Sequence, residues 1–400
     1  MRWCSVLSRD ENLVSAAHDL AGQARVQLGD DEPNLLMVFV SAHHAEHYRE
    51  VSALLGSEFP SALVLGCSAR SVIGGFEEVE EECSISIAAG VLPGVGFRPF
   101  HFDRAELPEA GEAAAFWQDH LNLPEGGGSA ILLLTDPYTC DVEGLVGGLD
   151  IAFPDAVKVG GVASGGSSPG ENALYLGSEV HRSGAVGVAL TGDLAIDVVV
   201  AQGCRPVGEP VFVTSSRENV VLELDGKPAF DVLSGIFQAL SEADQALAAQ
   251  SLLVGIGLKQ PDGAYGCGDF LVRNLVGVDR PNRTLTVGGV IEDGSVLQFH
   301  LRDKEASARD LDERLARASA SGAGRSAGAL LFSCLGRGRH LYAEDNHDSE
   351  MVRRHVGPVP VAGFFGNGEI GPVSQQTFVH GYTSVIAFFR SLAVGDPDVE

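Results

Sequence analysis

Part of this chain is used more than once, and that repetition limits what it can fold into more than any other feature. Asn34-Leu-Leu-Met-Val-Phe-Val-Ser41 is an apolar run of strand length; a helical stretch follows, then Phe59-Pro-Ser-Ala-Leu-Val-Leu-Gly-Cys-Ser68, then Cys83-Ser-Ile-Ser-Ile-Ala-Ala89. The same order returns in Ala130-Ile-Leu-Leu-Leu-Thr135, Phe153-Pro-Asp-Ala-Val-Lys-Val-Gly-Gly161 and Gly184-Ala-Val-Gly-Val-Ala-Leu190. Phe59 and Phe153 are 94 residues apart, as are Gly66 and Gly160, so the two copies share one register. A fainter third copy runs from Gly328-Ala-Leu-Leu-Phe-Ser-Cys334 through a helical stretch to Val359-Pro-Val-Ala-Gly363 and Tyr382-Thr-Ser-Val-Ile-Ala-Phe-Phe389. Unbroken Val/Ile/Leu runs suit strands covered on both faces. The expected fold is therefore α/β (mixed α+β): repeated strand-helix-strand-hairpin units forming mixed sheets flanked by helices, in two domains.

The pattern divides the chain into a helical lead-in (1–32), a first domain (33–229), a second domain (230–390) and a tail (391–400). Asp225-Gly-Lys-Pro228 breaks the repeat before a helix-like stretch from Phe230 to Leu247. Beyond it, Leu285 to Leu301 reads as a hairpin turning at Asp293-Gly294, and Asp303 to Ala320 as an amphipathic helix.

Composition then excludes whole classes of partner. A formal charge of −27 repels phosphate backbones and anionic lipid surfaces, so neither nucleic acid nor membrane is an expected partner. Charge interrupts the start at Arg2 and again at Arg9-Asp10, and no apolar run reaches the length of about 18 residues that a bilayer span needs. The seven cysteines (4, 67, 83, 140, 204, 267 and 334) include no C-x-x-C pair, which fits reduced, mostly buried thiols in a cytoplasmic protein.

Candidate chemistry gathers at strand ends. Gly66-Cys67-Ser68, Gly160-Gly161, Gly363 and Cys334 finish repeated strands, and ligands of open α/β sheets sit outside such carboxyl ends. Cys334-Leu-Gly-Arg-Gly-Arg339 offers glycine amides for an anion-receiving nest and a forked charge at Arg337. Phe270-Leu-Val-Arg-Asn274 and Arg302-Asp303 add polar groups at other strand ends. The candidate ligand-binding residues are thus Cys67, Ser68, Gly161, Arg273, Asn274, Cys334, Gly336, Arg337 and Gly338, lining one pocket, with Arg337 exposed. No catalytic residue and no metal ligand is assigned.

Several local patterns point elsewhere and fail. Gly166-Ser-Ser168-Pro-Gly170 spells a nucleophile elbow, but the residue after Ser168 is Pro169, which has no N–H for an oxyanion hole, and the segment leads into a strand-like run. His43 and His47 would share a helix face at i, i+4, yet no H-E-x-x-H pattern accompanies them.

In this order and spacing, certain segments resemble the FIST sensory proteins. They are Leu65-Gly-Cys-Ser-Ala69 with Ile73-Gly-Gly75, Val159-Gly-Gly161 with Gly184-Ala-Val-Gly-Val188, Phe270-Leu-Val-Arg-Asn274, Arg302-Asp303, Cys334-Leu-Gly-Arg-Gly338, and Gly363-Phe-Phe-Gly-Asn-Gly-Glu-Ile-Gly-Pro372. The resemblance places an N-terminal FIST module at 33–229 and a C-terminal one at 230–390. It implies a non-enzymatic sensory protein that binds a small molecule, amino acids among the candidates; no cofactor is expected. The two modules occupy the chain, so the signal is expected to pass to a separate signalling protein. Two alternatives stay open: a cysteine-dependent enzyme acting on a small metabolite through Cys67 or Cys334, and a haem-based gas sensor using His43, His44 or His47.

Overall fold

In a computed structural model of the chain, residues 1–103, 108, 112–123, 129–258, 265 and 268–392 are described; Cys267 and the tail from 393 lie outside them. The three sequence copies each form a strand, a helix and a parallel strand. These are Leu35–Ser41, Tyr48–Glu58 and Leu63–Ala69; Ser129–Thr135, Val142–Ala152 and Val157–Val162; and Gly328–Cys334, His347–Val356 and Val361–Gly366. Phe59 and Phe153 play the same part in the first two. Each ends its helix, its backbone N–H donating to the carbonyl of Leu55 or Leu149.

The repeated glycines lie inside strands rather than in turns. A Cβ on Gly66 would stand 2.1 Å from the Val38 carbonyl oxygen, on Gly160 1.8 Å from that of Leu133, and on Gly363 1.8 Å from that of Leu331. At each position the parallel partner comes too close for any side chain. The glycine repeat is therefore a packing requirement of the strand pair.

Among the described residues these pairs sit in three six-stranded sheets. The first runs Arg2–Ser8, Ile85–Val91, Leu35–Ser41, Leu63–Ala69, Leu174–Leu176, Glu179–His181. The second runs Gln376–His380, Glu369–Val373, Val157–Val162, Ser129–Thr135, Ala185–Gly192, Val95–Phe102. In the third the order is Ala195–Ala201, Ser384–Arg390, Gly328–Cys334, Val361–Gly366, Ser71–Gly74, Glu77–Val79, so strands from the two ends of the chain pair directly. One face of every sheet turns to a common core, where Phe39, Leu132, Phe332 and Phe364 meet and the Phe39 and Phe364 rings are 5.1 Å apart. Burying each such side chain contributes roughly 1.5–3 kcal/mol. Outer faces are covered by helices: Leu13–Leu28 and Tyr48–Glu58 on the first sheet, Ala113–Leu121 and Val142–Ala152 on the second.

A seven-stranded sheet is separate: Cys204–Arg217, Val296–Arg302, Leu252–Gly257, Phe270–Asp279, Thr284–Val287, Val220–Leu224 and Lys227–Pro228. Cys204–Arg217 also pairs with Val220–Leu224, which closes this antiparallel sheet into a barrel around Val213, Leu285 and Phe299. The compact units are thus residues 1–200 with 312–379 and 383–400, and residues 201–311 with 380–382.

The first compact unit is discontinuous along the chain, since the third repeat supplies strands to the third sheet. Three expectations change. The lead-in begins with the strand Arg2–Ser8 before its helix, because Cys4 and Val6 can bury against Ile85–Val91. The hairpin is absent: Thr284–Val287 pairs with Phe270–Asp279 and Val220–Leu224, whereas Val296–Arg302 pairs with Cys204–Arg217 and Leu252–Gly257. The stretch from Phe230 is two helices, Ala229–Ala239 and Glu242–Ser251, split where the Ser241 hydroxyl accepts the Asp244 N–H as an N-cap. The helix expected at Asp303 to Ala320 forms over Lys304–Ala320.

Candidate functional site

In the first unit the carboxyl ends of the three repeats converge. The Ser164 hydroxyl, just past Val157–Val162, donates to the Phe365 carbonyl at 2.5 Å and accepts the Arg70 N–H at 3.0 Å, tying all three repeats together. Beside this knot opens a cleft of about 690 Å³. Its walls come from Arg70 and Ser71 beyond the first repeat, Glu80 and Glu81 after Glu77–Val79, and Leu335, Gly336, Arg339, His340 and Phe365 of the third repeat. The arrangement follows from topology: parallel strands point their carboxyl ends the same way, and the loops after them diverge to leave a crevice.

Of the candidate residues, Gly336 lines this cleft. Arg337 turns the other way. It is 1% exposed and forks onto Asp348 of the helix His347–Val356, Nε to Oδ2 at 2.8 Å and Nη2 to Oδ1 at 2.9 Å. Ser333 Oγ donates to the same carboxylate at 3.0 Å, and the Tyr342 ring lies 5.5 Å from the guanidinium carbon. Burial alone would raise the Asp348 pKa, but the guanidinium and His347 hold it well below the usual carboxylate range. The expectation of an exposed Arg337 is corrected: the chain turns here, the Arg337 N–H donating to the Cys334 carbonyl at 2.8 Å, and Asp348 of the helix claims the side chain.

Two further carboxyls crowd the same region. Glu78 accepts the Ser349 N–H at 2.7 Å, its Oε2 has no hydrogen-bond partner, and burial followed by the Asp348 charge pushes its pKa up to about 8. Glu369 is fully buried, accepts the Thr383 N–H at 3.2 Å, and is likewise raised by burial. Cys334 hydrogen-bonds this carboxyl.

The remaining candidates serve packing or internal bonding. Gly161 is a core position, where a Cβ would come within 2.7 Å of the Phe364 ring. Cys67 is fully buried in the common core, and burial lifts its thiol pKa far above the ordinary value, the reverse of what a nucleophile needs. Ser68 bonds Asn172 Oδ1 at 3.1 Å and accepts the Ala173 N–H at 2.9 Å; Asn172 continues the chain to Asp136 at 2.8 Å. Gly338, at φ +62°, shapes the turn before Arg339.

Arg273 and Asn274 belong to the second unit and lie within the strand Phe270–Asp279, not at its end. Asn274 Oδ1 receives the Tyr382 hydroxyl, whose ring lies 5.5 Å from the Arg302 guanidinium carbon. The Arg302 Nε and Nη2 are buried without a hydrogen-bond acceptor among the described residues.

Ala42–His47 is a 3₁₀ turn, so His43 and His47 do not share an α-helical face. His44 instead packs its Nε2 3.2 Å from Cys83 Sγ. Burial lowers the imidazole pKa and burial with Glu11 and Asp10 raises the thiol, so this pair is held neutral. Gly166–Gly170 is a loop leading into the strand Leu174–Leu176, as the strand-like run after it led one to expect. No helix among the described residues is long and apolar enough to cross a membrane.

Sequence reasoning missed Arg70, Glu80, Glu81, Arg339 and His340. Arg339 was within the motif, but nothing local separates it from Arg337. Arg70 follows Ser68-Ala69 directly, which was the one usable signal.

Family models for the FIST N domain and the FIST C domain match residues 34–227 and 229–372. An uncharacterised protein of Mycobacterium bovis is 35% identical over 375 residues, 94% of this chain and 95% of that protein. One from Mycobacterium tuberculosis is 34% identical over 374 residues, 94% and 96%. Among solved structures, a cyanuric acid hydrolase aligns over 98% of this chain and 100% of its own at 9% identity, with a TM-score of 0.34, below the level at which a shared fold follows.

Proposed function

This chain belongs to the FIST family, and from that premise we propose that it is a sensory protein that binds a small charged metabolite in the strand-end cleft and performs no chemistry on it. FIST domains are small-ligand sensory domains. The observation that carries the reading is the 690 Å³ cleft at the point where three repeats bring their strand ends together, walled by two arginine–glutamate pairs. A crevice of that size suits a small ligand, and the charged side chains in its wall suit a charged one. The buried, protonated Cys67 and the neutral Cys83–His44 pair weigh against thiol catalysis. A separate signalling protein receives the signal.

Native mass spectrometry and an absorbance spectrum of freshly purified protein test this. A co-purified metabolite, or a thermal-shift hit worth about 2.7 kcal/mol at a hundredfold excess over Kd, is expected. The hit should vanish when Arg70 and Arg339 are both replaced by glutamine. A Soret band, turnover of the bound metabolite, or a hit indifferent to both arginines would sink the reading.

A further inference from the structure

The cleft already holds anions of its own. Glu80 and Glu81 are consecutive residues beyond the strand Glu77–Val79, and each sends a carboxylate to one of the cleft's arginines. Glu81 Oε1 receives Arg70 Nε and Nη2 at 3.1 and 2.7 Å. Glu80 Oε1 accepts the backbone N–H of Arg339 at 2.8 Å, while Arg339 Nη2 donates to the Glu80 carbonyl at 2.8 Å. Gly338 makes room for this: with φ at +62° it bends the turn, and a Cβ there would stand 2.5 Å from the Glu80 carboxylate. The turn before Arg339 is therefore an anion-receiving concavity of amide and guanidinium, filled from within.

The Arg70–Glu81 contact is cheap to exchange. The Arg70 and Glu81 side chains are 61% and 67% exposed, and an ion pair that open to water has a net worth near zero. The Glu80 carboxylate is disfavoured in its charged form by burial and by Asp345 and Glu81, although the Arg339 amide and guanidinium offset part of this.

We propose that Glu80 and Glu81 are internal stand-ins for the ligand, and that the cleft takes a small dicarboxylate that displaces them from Arg339 and Arg70 and frees the segment that carries them. The inference rests on the cleft being the ligand site. Carboxylate replaces carboxylate on the Arg70 guanidinium and the Arg339 amide, so the charge facing those donors is conserved; the two acids on adjacent residues show that two anions fit the cleft together. Tethered carboxylates compete at an effective concentration on the order of millimolar, so the native chain binds weakly and neutralising the tether strengthens binding.

Titration calorimetry with succinate and glutarate tests this on the full chain as the native protein, the E80Q/E81Q variant and the R70Q/R339Q variant, with melting curves checking the fold. Glutamine keeps the size and an acceptor oxygen while removing the charge. E80Q/E81Q is expected to bind at least one probe at least tenfold more tightly than the native chain, and R70Q/R339Q at least tenfold more weakly. Saturating probe should also speed amide exchange across residues 78–84 of the native chain. E81Q alone, at an exposed pair, carries the same expected direction if the double variant melts early. Equal affinity in native and glutamine variants, binding that survives R70Q/R339Q, or no binding of either probe to E80Q/E81Q overturns the proposal. A cationic metabolite found in the cleft would overturn it too, while leaving the sensory reading in place.

Discussion

Arg337 and Arg339 stand two residues apart and end in opposite environments, one locked onto Asp348 in the interior and one in the wall of a cleft. Removing the first leaves a buried carboxylate without its partner, which costs on the order of 3–5 kcal/mol. Arg337→Ala is therefore expected to lower the urea midpoint strongly, whereas Arg339→Ala, whose side chain is 46% exposed, should stay within about 0.5 kcal/mol of the native protein. Equal midpoints for the two variants would contradict the burial of the Arg337–Asp348 pair. Glu78 gives a pH dependence with a definite sign. Its pKa is raised in the fold from 4.5 to about 8, so its contribution to stability is full below the unfolded value and is lost as pH rises through the folded one. Asp348, depressed, acts oppositely and loses its contribution only in acid. Melting temperature should fall between about pH 4.5 and about pH 8, and Glu78→Gln should flatten that fall. A native profile that rises over this window would refute the assignment.

At the scale of elements, the parallel strand pair is the repeated object, and its glycine is its tightest point. Gly160→Ala and Gly363→Ala would each force a methyl group against a neighbouring carbonyl oxygen and should destabilise by about 1–3 kcal/mol or more. Gly147, on the open face of the helix Val142–Ala152, has nothing within 4 Å of where an added methyl group would stand, and Gly147→Ala should stabilise by up to about 1 kcal/mol. Chemical denaturation of the three variants checks the contrast; a uniform response would show that strand proximity is not what selects glycine.

For the whole molecule, the decisive feature is that Ser71–Gly74 pairs with Val361–Gly366, so the first unit needs both ends of the chain. Residues 1–229 expressed alone would lack Phe332, Phe364 and Phe389 from the common core and leave Phe39 and Trp3 without ring partners. That fragment is expected to bind a hydrophobic dye and to melt without a cooperative transition; a sharp, native-like melt would show that the first two sheets suffice. The acidic surface carries its own expectation, that duplex DNA does not bind near physiological salt, which a gel-shift titration would check.

Local pattern was enough for the elements whose cause is local. The apolar runs set the parallel strands, Phe59 and Phe153 marked matching helix ends, and the 94-residue spacing carried one register through two copies. The carboxyl-end location of the cleft was likewise legible, because it follows from parallel topology. Which side chains face the cleft was not. Arg337 and Arg339 share a motif, and only the helix His347–Val356, bringing Asp348 to one side of the loop, sorts them. Glu81 reaches Arg70 across the local pairing of Ser71–Gly74 with Glu77–Val79, but Glu80 reaches Arg339 because strands distant in sequence become neighbours in one sheet, and no window of adjacent residues contains that information. Strand pairing is long-range and set by the burial of whole faces, so sequence by itself determined what the repeated segments would form, and the tertiary structure alone decided which segments would meet.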